Sequence, residues 1–230
     1  MSFLSRILNK SSVGAIVIGM GLASGASALT IDFDSSTTGG IDLSVSDNGA
    51  GDLDPNVGSI FVSLTSLGGF SFINATAAVA DSVGLSELTQ TSLDVSGGGA
   101  GETLMVTTSS LFSGAAAAPR PSGLRYSLGG SELGGAVSGF GTAGGTSTAT
   151  LSFDPLVDGN DSFSGDTSTS AILNDPFLLS SSVTIGEVEA NRTTSFTSTV
   201  TAAVPLPAGG LLLLTALGGV AALRRKRKAA

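Results

Sequence analysis

In Leu124-Arg125-Tyr126-Ser127-Leu128 every second side chain is apolar and those between are polar. Successive strand side chains point to opposite faces, so a period of two fits a half-buried strand and not a helix. The same alternation sets Ile41, Leu43 and Val45 opposite Asp42, Ser44 and Ser46, and Ala149, Leu151 and Phe153 opposite Thr150 and Ser152. It recurs where Phe196 and Val200 alternate with Thr197, Thr199 and Thr201. Residues 59–67, 69–80, 92–96, 102–111 and 181–189 also read as strands, the last with a slip around Gly186 that suggests a bulge.

Clusters such as TTGG, DNGAGDLDPN, SGGGAG, APRPSG, DPLVDGNDS and NDP punctuate these runs with turn chemistry. The nearest thing to a helix is a turn or two within residues 83–93. Nine or ten strands in a body of 175 residues, 29–203, predict an all-β fold. The expected architecture is an antiparallel β-sandwich, jelly-roll-like. Residues 113–123 read as a linker or long crossover, and glycine-dense 129–146 as weak, bulged or edge strands.

Composition removes most chemistry. Cysteine, histidine and tryptophan are absent, so no thiolate nucleophile, thiolate zinc site, disulfide, imidazole base or Ser–His–Asp triad is available. The body holds three arginines, no lysine and all 18 carboxylates, a net charge of −15. That balance repels nucleic acid and anionic surfaces and favours contact with cations.

The remaining cations sit at the two ends. Arg6 and Lys10 precede an apolar run from Val13 to Gly25, and Ala26-Ser27-Ala28 supplies small residues at the −3 and −1 positions of a cleavage site. Residues 1–28 therefore read as a secretory signal peptide, cut between Ala28 and Leu29. At the other end, residues 208–223 are apolar or small apart from Thr215. As a helix they span about 24 Å, a membrane crossing completed by snorkelling cations. Arg224, Arg225, Lys226, Arg227 and Lys228 would hold that end in the cytoplasm, while Pro205 and Pro207 keep the approach extended.

The ordered tail, Val204-Pro205-Leu206-Pro207-Ala208, then an apolar helix, then Arg224-Arg225-Lys226-Arg227-Lys228, resembles the VPLPA variant of the PEP-CTERM sorting signal. That family of tails belongs to exported proteins of Gram-negative bacteria, often producers of exopolysaccharide. The resemblance covers residues 204–230. It implies recognition by an exosortase, a membrane-embedded cysteine transpeptidase that cuts near the proline motif. It also implies transient anchoring in the inner membrane and release of the body to the cell surface or extracellular matrix. Residues 204–208 would then be substrate.

Two carboxylate groups are candidates for chemistry in the body: Asp47, Asp52 and Asp54 in an early turn, and Asp154, Asp158, Asp161 and Asp166 later. Calcium takes six to eight oxygens, and neither group has EF-hand spacing, so no cofactor is assigned and calcium stays a minor reading. Paired carboxylates could also hydrolyse glycosides, but a single tyrosine and no tryptophan leave little to grip a sugar. No catalytic residue is expected. The sequence points to a non-enzymatic surface or matrix protein, structural or adhesive, whose expected partners are exosortase, membrane and extracellular polysaccharide. A calcium-assisted carbohydrate- or cell-binding module is the alternative, ahead of a carboxylate-based glycoside hydrolase.

Overall fold

Alternation becomes strand over most of the body. The structure is a computed structural model and describes residues 29–82, 85–97, 99, 101–113, 120–131, 135–154, 162–186 and 193–203. Among them there are thirteen strands and no helix. In chain order these are β1 (Thr30–Ser35), β2 (Leu43–Ser46), β3 (Ser59–Leu67), β4 (Phe70–Ser82), β5 (Leu85–Gly97) and β6 (Leu104–Phe112). There follow β7 (Arg120–Ser131), β8 (Val137–Ala143), β9 (Thr146–Ser147), β10 (Leu151–Phe153), β11 (Ser162–Leu173), β12 (Phe177–Ile185) and β13 (Thr194–Ala203).

The strands form two sheets, antiparallel throughout. One runs β10-β8-β12-β6-β1-β2 with β9 beside β8, and the other runs β11-β7-β13-β5-β4-β3. From β5 onward the chain changes sheet at each step except at β8, β9 and β10, which follow one another in the first sheet. β5, β7, β11 and β13 belong to the second sheet, and β6, β8, β10 and β12 to the first. The last two strands are inserted into gaps left earlier: β12 between β6 and β8, β13 between β5 and β7. Neither sheet is complete until the C-terminal part of the body arrives.

The inner faces share one core, including Ile31, Phe33, Leu88, Val106, Leu124, Leu128, Val183, Phe196 and Val200. Burying each such side chain contributes about 1.5–3 kcal/mol before the entropy of ordering is subtracted. Phe153 of β10 and Phe163 of β11 meet across the two sheets at 4.7 Å between ring centroids.

Tyr126, the only tyrosine, is wholly buried at the centre of this core. Its ring fits because the facing strand carries glycines. A Cβ on Gly139 would collide with Tyr126 Oη, and one on Gly141 would lie 2.9 Å from Val200 Cγ2. At Gly139 and Gly141 the glycines reflect close approach between sheets, whereas Gly144 and Gly145 turn the chain with positive φ. Of the weak, bulged or edge strands expected there, β8 is not at an edge; it lies between β10 and β12.

Other boundaries also shift. Residues 85–93 are strand rather than helix, because β5 uses Ser86 and Gln90 on its buried face and so hides its period. Ile41 is 62% exposed and lies before β2, leaving Val45 buried and Leu43 partly buried. Ala149 is exposed and β10 begins only at Leu151. Residues 120–123 belong to β7 instead of a linker. β12 ends at Ile185, with Gly186 N–H donating to Ala136 O at 2.7 Å, and the rest of the segment expected to bulge lies outside the described residues; an irregular register lies in β13, between Thr194 and Phe196.

Candidate functional site

The first acidic group lies in the turn between β2 and β3, where its carboxylates bind the turn's own donors. Asp47 Oδ2 accepts from Gly58 N–H at 2.8 Å. Asp52 takes three amides: Asn48 N–H on Oδ2 at 2.8 Å, and Asp54 and Phe61 N–H on Oδ1 at 2.9 and 3.1 Å. Asp54 accepts from Ser59 Oγ at 2.6 Å on one oxygen, and from Asn56 N–H and Nδ2 at 3.0 and 2.7 Å on the other. The Ser59 hydroxyl, then the Asn56 amide, holds the Asp54 carboxyl below its ordinary value. Asn48 has φ of 54°, a left-handed conformation that asparagine tolerates.

These bonds fasten the turn against β3. Leu53 N–H donates to Phe61 O at 2.8 Å while Asp52 accepts from Phe61 N–H, so both backbone groups of Phe61 are occupied on the turn side. Among the described residues, no three acidic side chains converge as a metal site would require.

The second acidic group is divided. Asp154 follows β10 in one sheet, Asp166 is on β11 in the other, and Asp158 and Asp161 fall outside the described residues. Asp166 pairs with Arg125 of β7 at 3.4 Å, both side chains more than half exposed. Such a pair contributes at most about 1 kcal/mol.

Hydroxyl groups populate both outer faces, a feature for which alternating Ser and Thr were the available signal. On the second sheet, Ser164, Gly129, Thr197, Thr91 and Thr76 lie side by side across five strands. Thr91 and Thr197 hydroxyls are 3.4 Å apart. On the first, Thr30, Ser109, Ser180 and Thr142 form a comparable row, with hydroxyl contacts of 2.9 Å at Thr30–Ser109 and 2.5 Å at Thr142–Ser180.

Sequence reasoning missed the polar seam between the sheets. Ser181 and Ser198 hydroxyls are 2.7 Å apart, Ser198 Oγ donates to Gln90 Oε1 at 3.3 Å, and Gln90 Nε2 donates to Val106 O at 3.2 Å. Tyr126 Oη lies near both serines but makes no hydrogen bond of acceptable geometry. Burial pushes the phenol well above its ordinary value, and the two serine hydroxyls pull more weakly the other way. The seam offers no base to activate a serine, and its tyrosine is closed to a sugar ring.

Of the processing positions, Leu29 alone is among the described residues. It is fully buried, and its carbonyl accepts from Asp47 N–H at 3.0 Å. Ala28, Val204, Pro205, Leu206, Pro207, Ala208, Arg224, Arg225, Lys226, Arg227 and Lys228 lie outside the described residues, as does the expected 208–223 helix. Among the described residues no helix is long and apolar enough to cross a membrane. Comparison with protein families finds no matching family, and comparison with curated proteins finds no similar one.

Proposed function

We propose that the chain is an exported, exosortase-processed surface or matrix protein whose body is structural or adhesive and not catalytic. The observation that carries this reading is the ordered tail: Val204 to Ala208, an apolar stretch, then five consecutive cations. A basic, apolar and small-residue leader at residues 1–28 is its counterpart at the other end. Between them the body is proposed to be a jelly-roll sandwich. In support, a jelly roll requires four strands per sheet with the last two inserted into gaps left by earlier ones, and β5–β8 with β10–β13 follow that order.

A role in an exopolysaccharide layer draws support from the outer faces. Rows of serine and threonine donate and accept hydrogen bonds with a hydrated, hydroxyl-rich polymer, and a lysine-free surface does not collapse onto anionic chains. Intact-mass measurement of the exported protein tests the processing. The expected mass corresponds to a chain beginning at Leu29 and ending between Val204 and Ala208. A mass retaining Arg224 to Lys228 in the inner-membrane fraction would replace sorting with a plain anchor.

A further inference from the structure

A sheet edge presents unpaired backbone donors and acceptors to any strand that reaches it, and natural sheets blunt such edges. Three of the four edges here are short or covered. β2 and β10 have four and three residues. β3 is covered at Phe61 by Leu53 and Asp52. β11 differs: it has twelve residues, no lysine and no proline, and pairs with β7 over its whole length without a bulge. Among the described residues, no backbone hydrogen bond reaches it from outside its sheet.

We propose that β11 is a self-association edge. Two copies would pair β11 against β11, antiparallel about a two-fold axis, joining two six-stranded sheets into one. The sequence of β11, SFSGDTSTSAIL, suits its own reversal. Phe163, Ala171 and Leu173 point to the core, so odd positions face inward and even positions outward. Pairing must match odd with odd and even with even, or every side chain would change face. The most complete overlaps therefore centre on Thr167 or on Ser168.

Centred on Thr167, Asp166 faces Ser168 of the other copy; centred on Ser168, it faces Ser170. Asp166 is the one charged residue of β11, and in neither register does it meet itself. Phe163 faces Ala171 or Leu173, which extends apolar contact across the junction. A second copy is favoured over a different partner because the single charge, the face pattern and the two-fold all satisfy themselves. The net charge of −15 on each body opposes approach, so association should tighten as salt screens it. The inference uses residues 162–173 alone and does not depend on how the tail is processed.

Analytical ultracentrifugation of the exported protein, over a concentration series at low and at physiological salt, tests it. A reversible dimer, tighter at higher salt, is expected. Ser168→Asp places a carboxylate opposite Asp166 in one register and opposite itself in the other, so the dimer should weaken at least about ten-fold while circular dichroism stays unchanged. Because the chain has no cysteine, single replacements report the axis directly. Facing Cα atoms in an antiparallel pair are about 4.5–5.5 Å apart, within disulfide reach. Thr167→Cys or Ser168→Cys should give a covalent dimer under mild oxidation, whereas Ser63→Cys on β3 should not. A monomer at every concentration, a dimer indifferent to Ser168→Asp, or cross-linking no faster than through Ser63→Cys would overturn the proposal.

Discussion

β3 and β11 terminate the same sheet and receive opposite treatment. At β3 the chain folds back before the strand begins, and three aspartates hold the returning turn by its own amides, with Asp52 reaching Phe61 on the strand itself. At β11 the chain leaves twelve residues in regular register against β7, with Asp166 as its one charged residue, paired to Arg125. An acidic turn thus serves, in its observed bonding, as a fastener over an edge. β11, a strand with little apolar content, is the edge that no backbone bond of the described residues covers. Among the described residues, the same chemistry, carboxylates and hydroxyls without lysine, closes one side of a sheet and leaves the other without a backbone partner.

Replacing the fastener should give the largest effect. Asp52→Ala strands the amides of Asn48, Asp54 and Phe61, and each charge-assisted bond of this kind contributes about 1.5–3 kcal/mol. Because the turn is partly solvated, a total loss of about 2 kcal/mol in urea unfolding is expected, together with new association through β3. Stability unchanged within 0.5 kcal/mol would mean that water replaces the carboxylate without cost.

Acid should act in the same place more gently. The Asp54 carboxyl there is held below its ordinary value by Ser59 and Asn56, and Asp42, in the turn between β1 and β2, likewise by the Thr38 hydroxyl and the Ser35 amide. A carboxyl depressed in the folded state contributes stability that is present above its unfolded value and is lost as pH falls through the folded one. Protection of the Asn56 amide, relative to its intrinsic exchange rate at each pH, should therefore fall below about pH 4. The same protons remove repulsion between bodies, so association through β11 should strengthen as the turn loosens. In Ser59→Ala the Asp54 titration, followed by NMR, should move back up toward its ordinary range. The smallest change is expected from Arg125→Gln, which removes the partner of Asp166 on an exposed surface and should alter stability by less than about 0.5 kcal/mol.

Some of this is legible in the sequence, and the reason differs by segment. Leu124 to Leu128 and Phe196 to Thr201 read correctly because apolar and polar side chains alternate on strands in the middle of a sheet. β5 hides behind Gln90 and Ser86, polar residues buried for the seam and not for solvent. β11 escapes notice for the opposite reason: at the sheet's margin, its inward positions include Gly165, Thr167 and Thr169, so it shows no apolar period. The insertion of β12 and β13 between earlier strands is invisible because it depends on pairing over long sequence separations. For the acidic turn, spacing alone does not say which amides its carboxylates accept from.

The two edges can be compared in one experiment, hydrogen–deuterium exchange of backbone amides at low and high protein concentration. Phe61 of β3 should be protected at both, because Asp52 holds its N–H whatever the concentration. The alternate amides of β11 that point away from β7 should exchange fast when dilute and become protected when concentrated. Protection of β11 at every dilution, or exchange at Phe61 as fast as along β11, would contradict the account.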